Sequence, residues 1–118
     1  MAFRFENLEI WRDAIAFSEK IYKTTAKFPR EEMFALTNQL RRAVISVSAN
    51  IAEGSGSNSR RDFRNYLNIA IKSLMEIVSL LEIAKRIDYI SEEIFMSLRT
   101  NAEVLVKRTQ AFRNSLKL

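Results

Sequence analysis

Ser46, Ser48 and Asn50, within RRAVISVSANIAEGSG (Arg41–Gly56), are where covalent chemistry would have to begin. A serine hydroxyl becomes a nucleophile only beside a base, and the chain contains no histidine. A lysine base is formally open, so a hydrolase using the Ser46–Glu53 flank is the one catalytic reading. Helical projection gives a simpler account. Gln39, Ser46, Asn50 and Glu53 fall on one flank of an amphipathic helix, together with Arg42, as a hydrogen-bonded structural seam. The expectation is that the protein is not an enzyme.

Metal and cofactor chemistry is poorly provided for. Cysteine is absent, which removes thiolate ligands and disulfides. A bundle-core di-iron site normally uses Glu-x-x-His from two helices, and no such motif can occur here. Glu53, Glu76 and Glu82 could bind a hard cation only if their oxygens converged, and nothing in their spacing brings them together. Gly54-x-Gly56 follows a helix rather than a strand, so it reads as a helix stop and not as a phosphate loop. No metal and no cofactor is expected.

Non-covalent chemistry is better supplied. Lys and Arg number 19 against 14 Asp and Glu, giving a net charge of +5 and a pI near 9.8. Such a balance favours acidic partners, nucleic acid foremost. The basic residues fall on helix faces, and Arg41, Arg42, Arg60, Arg61 and Arg64, joined by Lys72, are the expected phosphate contacts near the loop between the second and third helices. Tyr66 and Tyr89 are the only aromatics interleaved with the charges, too few for a base-stacking platform. Recognition of backbone and shape, largely independent of sequence, follows. The rival is a protein-interaction or scaffold subunit whose basic charge attracts an acidic protein partner.

These side chains must be carried by helices. Two glycines and one proline in 118 residues leave little material for the turns of an all-β protein. Leu8, Trp11, Ile15, Ser18, Tyr22 and Ala26 recur at helical spacing and predict a first helix over 7–28, ended by Pro29, with Ile10, Phe17 and Ile21 widening its apolar face. A second is expected from Arg30 to the Gly54–Ser55–Gly56 break, with Met33, Leu36, Leu40, Ala43, Val44, Val47 and Ile51 as core. Ser59 caps a third, with Asp62 three residues on; its stripe is Phe63, Leu67, Ala70, Leu74, Ile77, Val78, Leu81 and Ala84. Ser91 opens a fourth, with Ile94, Leu98, Ala102, Leu105, Thr109, Phe112 and Leu116. Short connections between four helices predict an antiparallel up-down-up-down bundle, one all-α domain over 1–118. No run of about 18 apolar residues is present to span a membrane, and the N-terminus lacks a secretory core; a cytoplasmic protein is expected.

The helices carry more apolar surface than one core consumes. Phe34, Ile45 and Ala52 of the second, with Ile69, Leu80 and Ile83 of the third, are the expected oligomer interface.

The strings LEIWRDAIAFSEKIY (8–22), FPREE (28–32), QLRRAVISVSANIAEG (39–54), DFRNYLNIA (62–70) and LEIAKRIDYI (81–90) resemble the four-helix bundle proteins associated with 23S rRNA intervening sequences, with Asn-Ile-Ala-Glu-Gly at 50–54 the most specific element. A related branch resembles the accessory proteins of diversity-generating retroelements. The resemblance implies a basic homopentamer that binds RNA or DNA, or a scaffold docking a reverse transcriptase, and it carries over no catalytic residue.

Overall fold

The computed structural model describes residues 2–118, and the chain forms four long helices: α1 (Glu9–Thr25), α2 (Leu36–Ser55), α3 (Arg60–Arg86) and α4 (Glu92–Ser115). Two short 3₁₀ turns, Arg4–Asn7 and Arg30–Glu32, precede α1 and α2. Each helix packs on its neighbour in sequence and α1 also meets α4, while the diagonal pairs make no close backbone contact. Cross-links fix the directions. Ser46 and Gln39 of α2 meet Ser73 and Glu76 of α3, Arg64 and Lys85 of α3 meet the end and the start of α4, and Asp13 and Lys20 of α1 meet Arg108 and Asn101 of α4. All three pairs therefore run antiparallel, the packing order of an up-down-up-down bundle, about 44 × 25 × 20 Å.

The stripes on α2 and α3 are buried as their spacing predicts, save Met33, which is exposed before α2 begins, and Val78, which is half-buried. Burial of each fully enclosed leucine or isoleucine, such as Leu74 or Ile77, contributes roughly 1.5–3 kcal/mol. On α4 the core begins with Phe95, not the exposed Ile94.

Helix α1 corrects its expected face. Ile10, Ala14, Phe17, Ile21 and Thr25 are buried, while Leu8, Trp11 and Ile15 lie half-buried on the flank and Tyr22 and Ala26 are exposed. Both sets recur at three and four residues, so periodicity alone did not choose between them. Small or polar residues at Ala14 and Thr25 disguise the true stripe, and Thr25 satisfies its hydroxyl by donating to the Ile21 carbonyl at 2.8 Å.

The helix ends hold one further correction. The second helix does not start at Arg30; that segment forms a 3₁₀ turn and α2 begins at Leu36. The expected Gly54–Ser55–Gly56 break holds: α2 ends at Ser55 with Gly56 as its cap, and is still helical at Gly54. The absent side chain of Gly54 lets α3 approach: a Cβ built there would lie 2.8 Å from both Phe63 Cδ1 and Tyr66 Cβ. Ser59 and Ser91 do cap α3 and α4, accepting from the amides of Asp62 and Ile94 at 3.1 Å each.

Candidate nucleic-acid interface

Antiparallel packing brings the end of α2, the start of α3, the end of α4 and the 3₁₀ turn before α1 to one end of the bundle. Sequence there supplies Arg4, Arg60, Arg61, Arg64, Arg113 and Lys117, and the fold gathers them. Arg64 Nη1 donates to the carbonyls of Arg113 (2.8 Å) and Leu116 (3.2 Å). Arg60 Nη1 donates to the Lys117 carbonyl at 3.1 Å. These guanidinium groups donate to carbonyls in the last turn of α4 and just beyond it, adding to the Leu116 amide that already bonds the Arg113 carbonyl, and oppose the negative end of the helix dipole. Arg113 Nη1 reaches Asn68 Oδ1 at 2.9 Å. Arg4 lies against Phe63, 5.2 Å from the ring centroid, and donates to the Ser55 carbonyl at 3.4 Å.

The partners of these cations are neutral. Among the described residues the ion pairs are Lys85–Glu82, Lys85–Glu92, Arg86–Glu82, Arg99–Glu103 and Arg108–Asp13, none of them at this end. Arg4, Arg60, Arg64 and Arg113 are positioned by carbonyls, an amide oxygen and a ring, and Glu6, Glu53 and Asp62 of the same segments form no ion pair with them. Between them lies a depression of about 430 Å³, lined by Arg4, Ser57, Asn58, Ser59, Arg60 and Lys117 among others. Hydroxyl and amide donors beside cations of this kind suit phosphate oxygens.

The expected cluster is split by the fold. Arg60, Arg61 and Arg64 stand together at the loop between α2 and α3. Arg41 and Arg42 do not: some 15 residues of helix, roughly 22 Å, separate them from Gly56. Arg41 clamps α1 to α2, donating through Nε to Thr25 Oγ1 at 3.0 Å with its guanidinium 4.6 Å from the Tyr22 ring centroid. Arg42 is exposed, and Lys72 is exposed midway along α3. Arg4, Arg113 and Lys117 join the cluster from segments far away in sequence. The signal that could have found them is the topology itself, since an up-down bundle must seat the end of α4 beside the start of α3.

The flank of α2 toward α3 is polar. Ser46 Oγ accepts from Ser73 Oγ (2.9 Å) and Asn50 Nδ2 (2.9 Å), and Asn50 Nδ2 also reaches the Ser46 carbonyl at 2.7 Å. Gln39 Nε2 donates to Glu76 Oε2 at 3.3 Å, and Glu53 is exposed and joins none of these bonds. The neighbours of the Ser46 hydroxyl are thus a hydroxyl and an amide, neither of them a base. No group of three or more metal-ligating side chains converges among the described residues.

Of the six expected interface residues, Phe34, Ile45, Ile69 and Ile83 are exposed and Ala52 is half-buried. Leu80 corrects the reading: it is 7% exposed and belongs to the bundle's own core. It lies on the flank of α3 that turns toward α2, so packing within one chain covers it.

The far end differs in charge. Lys85 bridges Glu82 (3.0 Å) and Glu92 (3.4 Å) and lies 4.4 Å from the centroid of Phe95. Hydrogen bonds from Lys85 and Arg86 hold the Glu82 carboxyl below its usual range, and the bond to Glu82 raises the Lys85 ammonium. Burial, then the carboxylate of Glu32, pushes the Tyr89 phenol upward; its hydroxyl donates to Glu32 Oε1 at 3.3 Å.

Fold and surface define a class: an all-α four-helix protein with a cluster of cations at one end that form no ion pairs, a covered apolar core and, among the described residues, no helix long and apolar enough to cross a membrane. The sequence pattern of the family described as 23S rRNA-intervening sequence protein matches residues 6–111. The chain belongs to that family. It is similar to a protein of unknown function from the S23 ribosomal protein family of Bacteroides thetaiotaomicron, solved by crystallography. That match has 28% identity and a TM-score of 0.82, covering 89% of this chain and 95% of the other. Comparison with curated proteins returns no match.

Proposed function

We propose that this protein is a non-enzymatic, self-associating nucleic-acid-binding bundle that holds phosphates at the end where α2 turns into α3. The observation that carries the reading is the set of cations there, Arg4, Arg60, Arg61, Arg64, Arg113 and Lys117: the first, second, fourth and fifth are bonded to carbonyls, an amide oxygen or an aromatic ring, and none of the six forms an ion pair with a carboxylate. The family description, which names an rRNA intervening sequence, makes structured RNA the first ligand to test. Several copies in one assembly would present several such ends, and weak phosphate contacts would then act at high effective concentration. Exposed Phe34, Ile45, Ile69 and Ile83 support the self-association, and a pentamer is the state the family resemblance implies.

Fluorescence anisotropy with nuclease-treated protein, a structured RNA and a duplex DNA, from about 50 to 300 mM salt, tests the reading. Affinity should fall steeply with salt, with a slope of about −0.9 per duplex phosphate neutralised. Arg61→Ala with Lys117→Ala should flatten that slope, because neither side chain of the pair caps a helix. Absence of binding at the lowest salt overturns the reading and leaves the basic end to an acidic protein partner.

A further inference from the structure

Phe34 is 93% exposed, an unusual state for a phenylalanine on a folded chain. It is also held firmly. The Arg30–Glu32 turn precedes it, the Ala35 amide donates to the Glu32 carbonyl at 3.0 Å, and the Glu32 carboxylate accepts from the Leu36 amide (3.2 Å) and the Tyr89 hydroxyl (3.3 Å). The ring is therefore presented on a braced turn, so little conformational freedom is lost when it is covered.

The same chain carries a receptor for it. Between α3 and α4 runs a groove of about 360 Å³ lined by the apolar Leu74, Met75, Val78, Ala102 and Val106, with the exposed Arg99, Glu103 and Lys107 on its rim. Met75 is 58% exposed, and a thioether is a favourable neighbour for an aromatic ring. Charge matches as well: the turn Arg30-Glu31-Glu32 carries one net negative charge, and the rim carries one net positive charge. Arg99 is already paired with Glu103, which leaves Lys107 to face Glu31.

Phe34 cannot reach its own groove. It precedes α2, which lies diagonally across from α4, and the groove opens on the flank of α3 opposite to Ser73, the residue that bonds α2. We propose that Phe34 of one copy inserts into the α3–α4 groove of a second copy, so that the chain assembles head to tail. Knob and groove are different surfaces, which makes the contact heterologous, and repetition yields a ring if the rotation closes. The inference rests on the self-association proposed above and adds its geometry. Burial of the ring removes roughly 150–250 Å² of side chain from water and makes Phe34 the anchor of the contact.

The test is sedimentation velocity of the full chain at micromolar concentration, with circular dichroism to show that each variant is folded. Wild type should sediment as a species larger than a dimer. Phe34→Arg and Met75→Arg alter exposed side chains, and each should weaken assembly by about 30-fold or more, as loss of an interface anchor does. Mixed together, they should form a 1:1 dimer and nothing larger, because one variant keeps its groove and the other its knob. The mixture is examined well above the wild-type midpoint, since an open dimer lacks the avidity of a closed ring. Wild type that stays monomeric overturns the self-association itself. An assembled Phe34→Arg variant, or a mixture that stays monomeric there, overturns the head-to-tail contact alone.

Discussion

At the end of the bundle where α2 turns into α3, guanidinium groups meet main-chain carbonyls; at the far end, where α3 turns into α4, Lys85 and Arg86 meet the carboxylates of Glu82 and Glu92. Similar side chains thus do opposite things to the local field. A cation bonded to a carbonyl keeps its charge, whereas one bonded to a carboxylate gives most of it up. The ends also differ in backbone. The basic end places a glycine where two helices touch, and the far end places an aspartate where the backbone turns left-handed. Each difference can be removed by substitution, which gives three ways to break or sharpen the contrast.

The largest effect is expected at Gly54. A side chain there would overlap Phe63 and the Cβ of Tyr66, and a Cβ has no rotamer by which to escape. Gly54→Val should force α3 away from α2 and destabilise the protein by about 3 kcal/mol. Gly56 is the internal control: a Cβ there meets only the Glu53 carbonyl, at an ordinary 3.6 Å. Gly56→Ala should lie within about 0.5 kcal/mol of wild type. Urea denaturation reads both, and equal midpoints for the two variants would show that Gly54 is not a packing contact.

The second effect separates cations that build the basic end from those that only charge it. Arg64→Ala leaves the Leu116 carbonyl without its donor and the Arg113 carbonyl with the Leu116 amide alone, and should cost about 1–2 kcal/mol. Arg61 is exposed and makes no such bond, so Arg61→Ala should change stability by less than about 0.5 kcal/mol while still removing one charge. Comparable thermal shifts for the two would erase the distinction.

These examples also show what was legible in the sequence. Ser59 and Ser91 announced α3 and α4 because capping is local chemistry. The stripes of α2 and α3 were legible because their apolar positions repeat at helical spacing along most of each helix. The face of α1 was not, since Trp11 and Tyr22 offer an equally periodic rival whose aromatic bodies lie along the flank. The Gly54–Ser55–Gly56 break was legible as the end of α2, but that Gly54 also admits α3 was not, because only the positions of Phe63 and Tyr66 show it. The basic end was legible as far as Arg60, Arg61 and Arg64. Arg4, Arg113 and Lys117 join from distant segments, and Arg41 leaves for Thr25 and Tyr22, because side-chain reach is decided after the helices have packed.

The smallest effect lies at the far end, in the turn after α3. Asp88 has φ 64°, the left-handed conformation that a non-glycine residue adopts at a cost. The surrounding bonds explain why it is held there: the Tyr89 amide donates to the Ala84 carbonyl (2.8 Å) and the Asp88 amide to the Lys85 carbonyl (3.0 Å), the paired closure of a helix C-terminus that normally has glycine at this position. The carboxylate also carries the wrong sign for the negative end of the α3 dipole, although Lys85 and Arg86 in the last turn offset it. Two penalties therefore coincide at one residue and can be separated. Asp88→Asn keeps the shape, removes the charge and tolerates the left-handed region, so its gain should be a few tenths of a kcal/mol. Asp88→Gly removes charge and conformational cost together and should stabilise by about 0.5–1 kcal/mol, less than the full relief because glycine frees the unfolded chain. If thermal denaturation ranks Asp88→Gly below wild type, the side chain makes a compensating contact in the turn, and the far end is as fully paired in its backbone as in its charges.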